Sequence, residues 1–257
     1  MNWLKQTDNP LFPDVLWSRP ENKRHAGKLI IIGGHAQSFS AVSEAFSEAS
    51  HAGIGVSRVI VPDKLQRVLS KLFPEAEFAP STDIGSFSRQ ALDMFLDAAE
   101  WGDGVLLAGD FGRNSQTAVL LESFIEKYTG ACTLTGDALD YFFASSLRAK
   151  VTKRPNTLLV ATVSQLQKLA EPTLIQQGAD FLKIIEQISA WARSIGPAVI
   201  TQHSNQLICA VGKNISSTPQ KNPVSNAKLA AHAAVWRLQH PKKPFEAVTS
   251  TAYQLNQ

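Results

Sequence analysis

The chain has 257 residues, 44% of them apolar and 18% charged, with a formal net charge of +3. Those proportions belong to an ordinary globular protein and exclude a largely disordered one. The weak charge and the lack of a dense Lys/Arg block exclude a nucleic-acid partner, and no apolar run reaches membrane-span length.

Residues 1–27 are rich in Pro, aromatics and charge and are expected to form an N-terminal arm over a single domain, 28–257. The opening "MNWLKQTDNPLFPDVLWSRP" lacks the apolar core of a signal peptide, so the expected address is the cytoplasm. "KLIII" reads as a buried strand closed by Gly33 and Gly34. The small-residue helix "SAVSEAFSEASHA" follows, with Glu44 and Glu48 expected on a solvated face, then the strand "SRVIVP". "SFSRQALDMFLDAAEW" is a helix and "GVLLAGDFG" a strand ending in a turn. "TAVLLESFIEKY" is a helix, and "ACTLTGDALD" a strand and turn. "NTLLVAT" is a strand, leading into "SQLQKLA", a helix with Ser164 as its expected N-cap. "ADFLKIIEQISAWARSI" is an amphipathic helix, "AVITQ" and "QLICAVG" form a hairpin across "HSN", and "AKLAAHAAVWRLQ" and "FEAVTSTAYQL" are closing helices. Alternating strands and helices predict an α/β fold with a mainly parallel central sheet covered by helices on both faces.

Ligands of such sheets bind beyond the carboxyl ends of the strands. The residues there are Gly33, Gly34 and His35; Asp110, Phe111, Gly112 and Arg113; Asp137; Thr162 and Gln165; and Gln202 and His203. Gly33-Gly34 suits either an anion nest or an ordinary strand-to-helix turn. Asp110 suits either an acid paired with Asp137, acting as acid/base or on Mg²⁺, or an Asx-type bond within its own turn. Asp137 and Asp140, three apart, could form an acid pair, but that spacing at a helix start more often means capping. The six histidines show no metal-ligand spacing, so no metal site is expected, and Cys132 and Cys209 read as buried hydrophobes.

The stretch "RHAGKLIIIGGHAQSFSAVSEAFSEASHAGIGVSRVIVPD" resembles the ADP/ATP-dependent NAD(P)H-hydrate dehydratases of the ribokinase-like superfamily. It matches their opening strand, Gly-Gly loop, small-residue helix and Ala-Gly-x-Gly strand. "FPEAEF" falls at the family's Pro-Glu segment, and segment order follows the family over about nine-tenths of the chain. The resemblance implies a ribokinase-like three-layer α/β/α fold, ATP or ADP with Mg²⁺ as cofactors, a nicotinamide-nucleotide ligand and a homo-oligomer. It also implies a reaction in which the hydroxyl of a hydrated nicotinamide is phosphorylated and the phosphate then eliminated.

Against that pattern, the reactive motifs differ. The family's Gly-x-Gly-Asp, whose glycines nest the phosphoryl group and whose Asp takes a proton, is matched by Pro223-Val224-Ser225-Asn226. Gly-Pro-Gly-Leu-Gly becomes Ala108-Gly109-Asp110-Phe111-Gly112, and Thr-Pro-His-Pro-Gly-Glu becomes Val160 to Gln165. Lys-Gly becomes Gln202-His203, while "TGDALD" keeps Asp137 of an acidic motif. Losing the base alone costs about a hundredfold to ten-thousandfold in rate. The expectation is a weak or inactive dehydratase-like protein that retains a nucleotide at the rim, with Ser225 or Asn226 now capping a helix. Two alternatives remain: an enzyme with altered chemistry at Asp110, and an oligomeric subunit whose aromatic arm (Trp3, Phe12, Trp17) docks on a neighbour.

Overall fold

The computed structural model describes residues 2–71, 73–170, 174–176 and 178–256. Its strands are β1 Asn2–Lys5, β2 Lys28–Gly33, β3 Val56–Pro62, β4 Ala76–Ala79 and β5 Gly104–Gly109. They continue as β6 Ala131–Thr135, β7 Thr157–Val160, β8 Ala198–His203, β9 Gln206–Val211 and β10 Asn214–Pro219. The helices are α1 Pro13–Trp17, α2 Ser40–His51, α3 Gln66–Leu69, α4 Leu92–Trp101 and α5 Ser115–Lys127. After them come α6 Ser145–Thr152, α7 Val163–Leu169, α8 Phe181–Ala192, α9 Asn226–Gln239 and α10 Pro244–Gln254.

The strands make one sheet in the order β1-β10-β9-β8-β7-β6-β5-β2-β3-β4. From β8 to β4 every pairing is parallel, as the alternating pattern predicts. The run "KLIII" shows why the strands read as unbroken apolar segments. Ile30 and Ile32 pack into one core with Phe95, Phe124 and Ile188, whereas Leu29 and Ile31 pack into the other with Val42, Ala230 and Trp236. Each side chain from Leu29 to Ile32 is therefore buried, on alternating faces. Helices cover both faces: α4, α5 and α8 supply the first core, α2, α9 and α10 the second. This is the three-layer architecture expected from the sequence.

The antiparallel margin is larger than the sequence suggests. The expected β8–β9 hairpin forms, with Ser204 and Asn205 both at positive φ. A third strand, β10, extends it, and β1 adds in parallel beyond β10. β10 carries Ser216, Ser217 and Thr218 in buried positions, so its polar composition hid it. Residues 2–5 thus lie in the sheet: Trp3 donates to Ser217 Oγ (3.1 Å) and stacks edge-on against Phe181. Phe12 packs on Phe245 of the same chain, while Trp17 is 86% exposed.

Two local expectations are corrected. The N-cap of α7 is Thr162, not Ser164. Thr162 and Gln165 form a reciprocal capping box, in which the N3 side chain satisfies the N-cap backbone. Glu48 does not lie on a solvated face: it is 9% exposed, and its Oε1 meets His232 Nδ1 of α9 at 2.7 Å. The helix that presents Glu48 packs on α9 rather than standing outside it. Cys132 and Cys209 are free and buried, as read. Among the described residues no helix is long and apolar enough to cross a membrane.

Candidate functional site

The carboxyl ends of β2, β5, β6, β7 and β8 are neighbours in the sheet, so every sequence-predicted residue comes to one rim. They fall into three groups.

The first joins the ends of β2, β5 and β6. The β2–β5 register shifts at Ile32/Gly33, bringing Gly33 opposite Gly109. A Cβ on Gly33 would lie 2.4 Å from the Gly109 carbonyl oxygen, so this glycine is required by the approach of two main chains. Gly34 has φ +91° and donates its N–H to Gly109 O at 3.0 Å. That donor is spent inside the protein. His35 packs over Gly112, where a Cβ would meet its ring at 2.6 Å, and His35 Nδ1 is buried with no partner among the described residues.

Asp110 has φ +60° and does not close its own turn. The Asx reading is corrected: its Oδ2 accepts from the Ala41 N–H (2.9 Å) and the Ser40 hydroxyl (3.3 Å), at the start of α2. The residue at the α2 N-cap, Phe39, has no acceptor side chain, so a carboxylate from a distant turn performs the capping. Asp137 likewise reaches across rather than capping its own short helical turn. Its two oxygens accept from Phe111 N–H (3.1 Å) and Gly112 N–H (2.9 Å). Burial raises the Asp137 carboxyl above the ordinary range, the two N–H donors oppose this, and the Asp110 and Asp140 charges add to the rise. The Phe111 ring enters the core against Phe87 and leaves only its main chain at the rim.

The second group follows β6 and β7. Gln165 of the capping box donates to Gly136 O and to Asp140 Oδ1, each at 2.9 Å. Beside it opens a cleft of about 620 Å³, lined by Arg113, Asn114, Asp137, Asp140, Tyr141 and Lys168 among others. The Tyr141 hydroxyl donates to Gly112 O and holds the β5 turn against the cleft wall. Sequence reading missed Tyr141 and Lys168: both sit in helical segments with no motif, and only the fold points them at the rim.

The third group surrounds the entrance of α9. Ser225 is the N-cap, its Oγ accepting from Lys228 N–H at 3.3 Å and donating to Glu44 of α2. Gln202 Nε2 donates to Val224 O (3.0 Å) and Asn226 Oδ1 (2.8 Å), and Gln220 donates to Gln202 Oε1 (2.8 Å). The turn is closed by the side-chain amides of Gln202 and Gln220. His203 ends β8 opposite Gln206 and joins no side-chain network among the described residues. Glu44, expected to be solvated, is the residue that ties α2 to this turn.

No family model matches the chain. The sheet order and its two helical layers are those of a ribokinase-like α/β fold. A ribokinase-like superfamily protein from Enterococcus faecalis V583 superposes with a TM-score of 0.75 at 17% identity, over 99% of this chain and 86% of that one. The ADP/ATP-dependent NAD(P)H-hydrate dehydratase from Bacillus subtilis, co-crystallised with ATP/Mg²⁺, gives 0.64 at 14% identity, over 98% and 88%. These two likenesses establish the fold. In sequence, the chain is 28% identical over 154 residues to the bifunctional NAD(P)H-hydrate repair enzyme Nnr of Methanothermobacter thermautotrophicus. That match covers 58% of this chain and 29% of the relative. The chain is thus similar in sequence to a part of that repair enzyme, and spans less than a third of its length.

Proposed function

We propose that this protein binds a nucleotide or nicotinamide nucleotide in the rim cleft and turns over hydrated NADH weakly or not at all. One observation carries the reading: the entrance of α9 is chemically closed. Pro223 offers no N–H, Ser225 is shared between Glu44 and Lys228, and the Asn226 amide oxygen accepts from Gln202. An amide is no general base, and none of these groups takes a hydroxyl proton. The capping of α2 by Asp110 points the same way, since a carboxylate already lies where an anion would meet the helix.

The cleft itself suits a phosphate-bearing ligand. Arg113 and Lys168 supply two cations, Asn114 begins α5, and Tyr141 and Phe143 supply aromatic surface. Mg²⁺ bound there would be held by the ligand's phosphates with one or two carboxylates, of which Asp140 lies in the cleft. At the entrance of α9, where the resemblance puts the base, Pro223, Ser225 and Asn226 offer no group that takes the proton on which phosphorylation depends.

The test is turnover of hydrated NADH by the pure chain with ATP or ADP, beside the Bacillus subtilis dehydratase. The expected rate is at least about a hundredfold lower, the ordinary loss for an absent base. Asn226→Asp alone restores little, because Pro223 and Ser225 still close the turn. Turnover comparable to the Bacillus enzyme overturns the proposal.

A further inference from the structure

At the opposite pole, the amino ends of the parallel strands enclose a second cavity of about 450 Å³. It lies between the α9-bearing face of the sheet and the α9–α10 connection. Leu29, Val105, Val211, Leu238 and Pro241 give it largely apolar walls. One cation enters it, Arg237, from the last turn of α9.

Arg237 has no partner among the described residues. Its Nε is shielded from solvent and has no hydrogen-bond partner among the described residues. None of the ion pairs among those residues includes it. The carboxylate in the same cavity, Asp103, already accepts the Lys28 main-chain N–H at 2.8 Å. Burial pushes the guanidinium down to about 10, so it is still charged at neutral pH. The negative end of α9 offsets part of the cost of burying that charge, but a guanidinium has five donors and a helix end is a weak acceptor for them. A partly buried guanidinium whose Nε is shielded from water and has no acceptor among the described residues costs stability that an anion in the cavity would offset.

One cation among apolar walls does not suit a polyphosphate. It suits a single oxyanion carried on an apolar body, which a guanidinium grips through two parallel N–H bonds. We propose that this cavity is a second ligand site, for a small organic carboxylate anchored by Arg237, separate from the cleft at the carboxyl rim.

The experiment uses the full chain with benzoate and its neutral isostere benzamide, read by saturation-transfer NMR and by thermal unfolding. In the wild type, benzoate binds at least tenfold more tightly than benzamide, a difference of about 1.4 kcal/mol. In Arg237→Met the two become equal to within about twofold. In Arg237→Lys part of the preference returns, because a point charge replaces the fork. Equal binding of the two probes in the wild type, or no binding of either at 10 mM (roughly −2.7 kcal/mol or weaker), overturns the proposal. So does an undiminished benzoate preference in Arg237→Met. The wild-type comparison decides the matter even if the Met variant fails to fold.

Discussion

Replacing Asp110 tests whether this acid is a structural cap or a reactive group. Its Oδ2 is the acceptor for Ala41 N–H at 2.9 Å, and the bond to Ser40 Oγ at 3.3 Å is longer and weaker. Losing an N-cap acceptor costs about 1 kcal/mol, and losing a negative charge beside a helix N-terminus about 0.3–1 kcal/mol. Asp110 also sits at φ +60°, a conformation that Asp and Asn tolerate and that costs Ala roughly 1 kcal/mol more. Asp110→Ala therefore loses about 2–3 kcal/mol. Asp110→Gly, free of the φ penalty, loses about 1–2 kcal/mol. Asp110→Asn keeps one acceptor and the backbone tolerance and loses about 0.3–1 kcal/mol. Urea titration at constant m measures all three. For a chain of this size the Ala variant also melts about 4–12 °C lower. Equal stability for Ala and Asn refutes the capping role and returns Asp110 to the candidates for chemistry.

Gly33→Ala places a Cβ 2.4 Å from Gly109 O and 2.9 Å from Val42 Cγ2, so it costs at least about 2 kcal/mol by chemical denaturation. Gly212→Ala meets nothing within 4 Å and bears only its φ of +55°, about 1 kcal/mol. Ser225→Ala removes the α9 cap and the contact with Glu44, lowering stability by about 0.5–2 kcal/mol in the same assay. His232 is held below its ordinary pKa by burial, with Glu48 opposing. Its folded form therefore binds a proton less readily than its unfolded form. Stability is full above about pH 6.5 and falls as pH drops towards the folded pKa. Melting temperatures from pH 8 to 5 follow that limb, which flattens in His232→Gln.

The central fold was legible because strands buried on two faces are apolar through their middles, as "LIII", "GVLLAG" and "LLV" are. The margin was less so. β10 buries serines and a threonine that bond across to α10 and β1, as Ser216 does to Thr249 and Ser217 to Trp3, so its sequence imitates a loop. At the rim, residue types and positions were readable, and the strand-end rule gathered them. Their partners were not. Asp110 bonds to Ala41 across 69 positions, Asp137 to Gly112 across 25 and Ser225 to Glu44 across 181, and no local pattern encodes such choices. Glu48 shows the same limit. Helical spacing placed it beside Glu44 on one face, and only the packing of α2 on α9 decides that the face is covered.

The most direct measurement is thermal unfolding of the full chain with ATP, ADP, AMP, NAD and NADH, each with and without Mg²⁺. A ligand at a hundred times its dissociation constant adds about 2.7 kcal/mol, a rise of roughly 5–10 °C for this chain length. The account predicts such a rise with at least one of these nucleotides, lost in Arg113→Ala with Lys168→Ala. No rise with any of them contradicts a nucleotide site in the cleft.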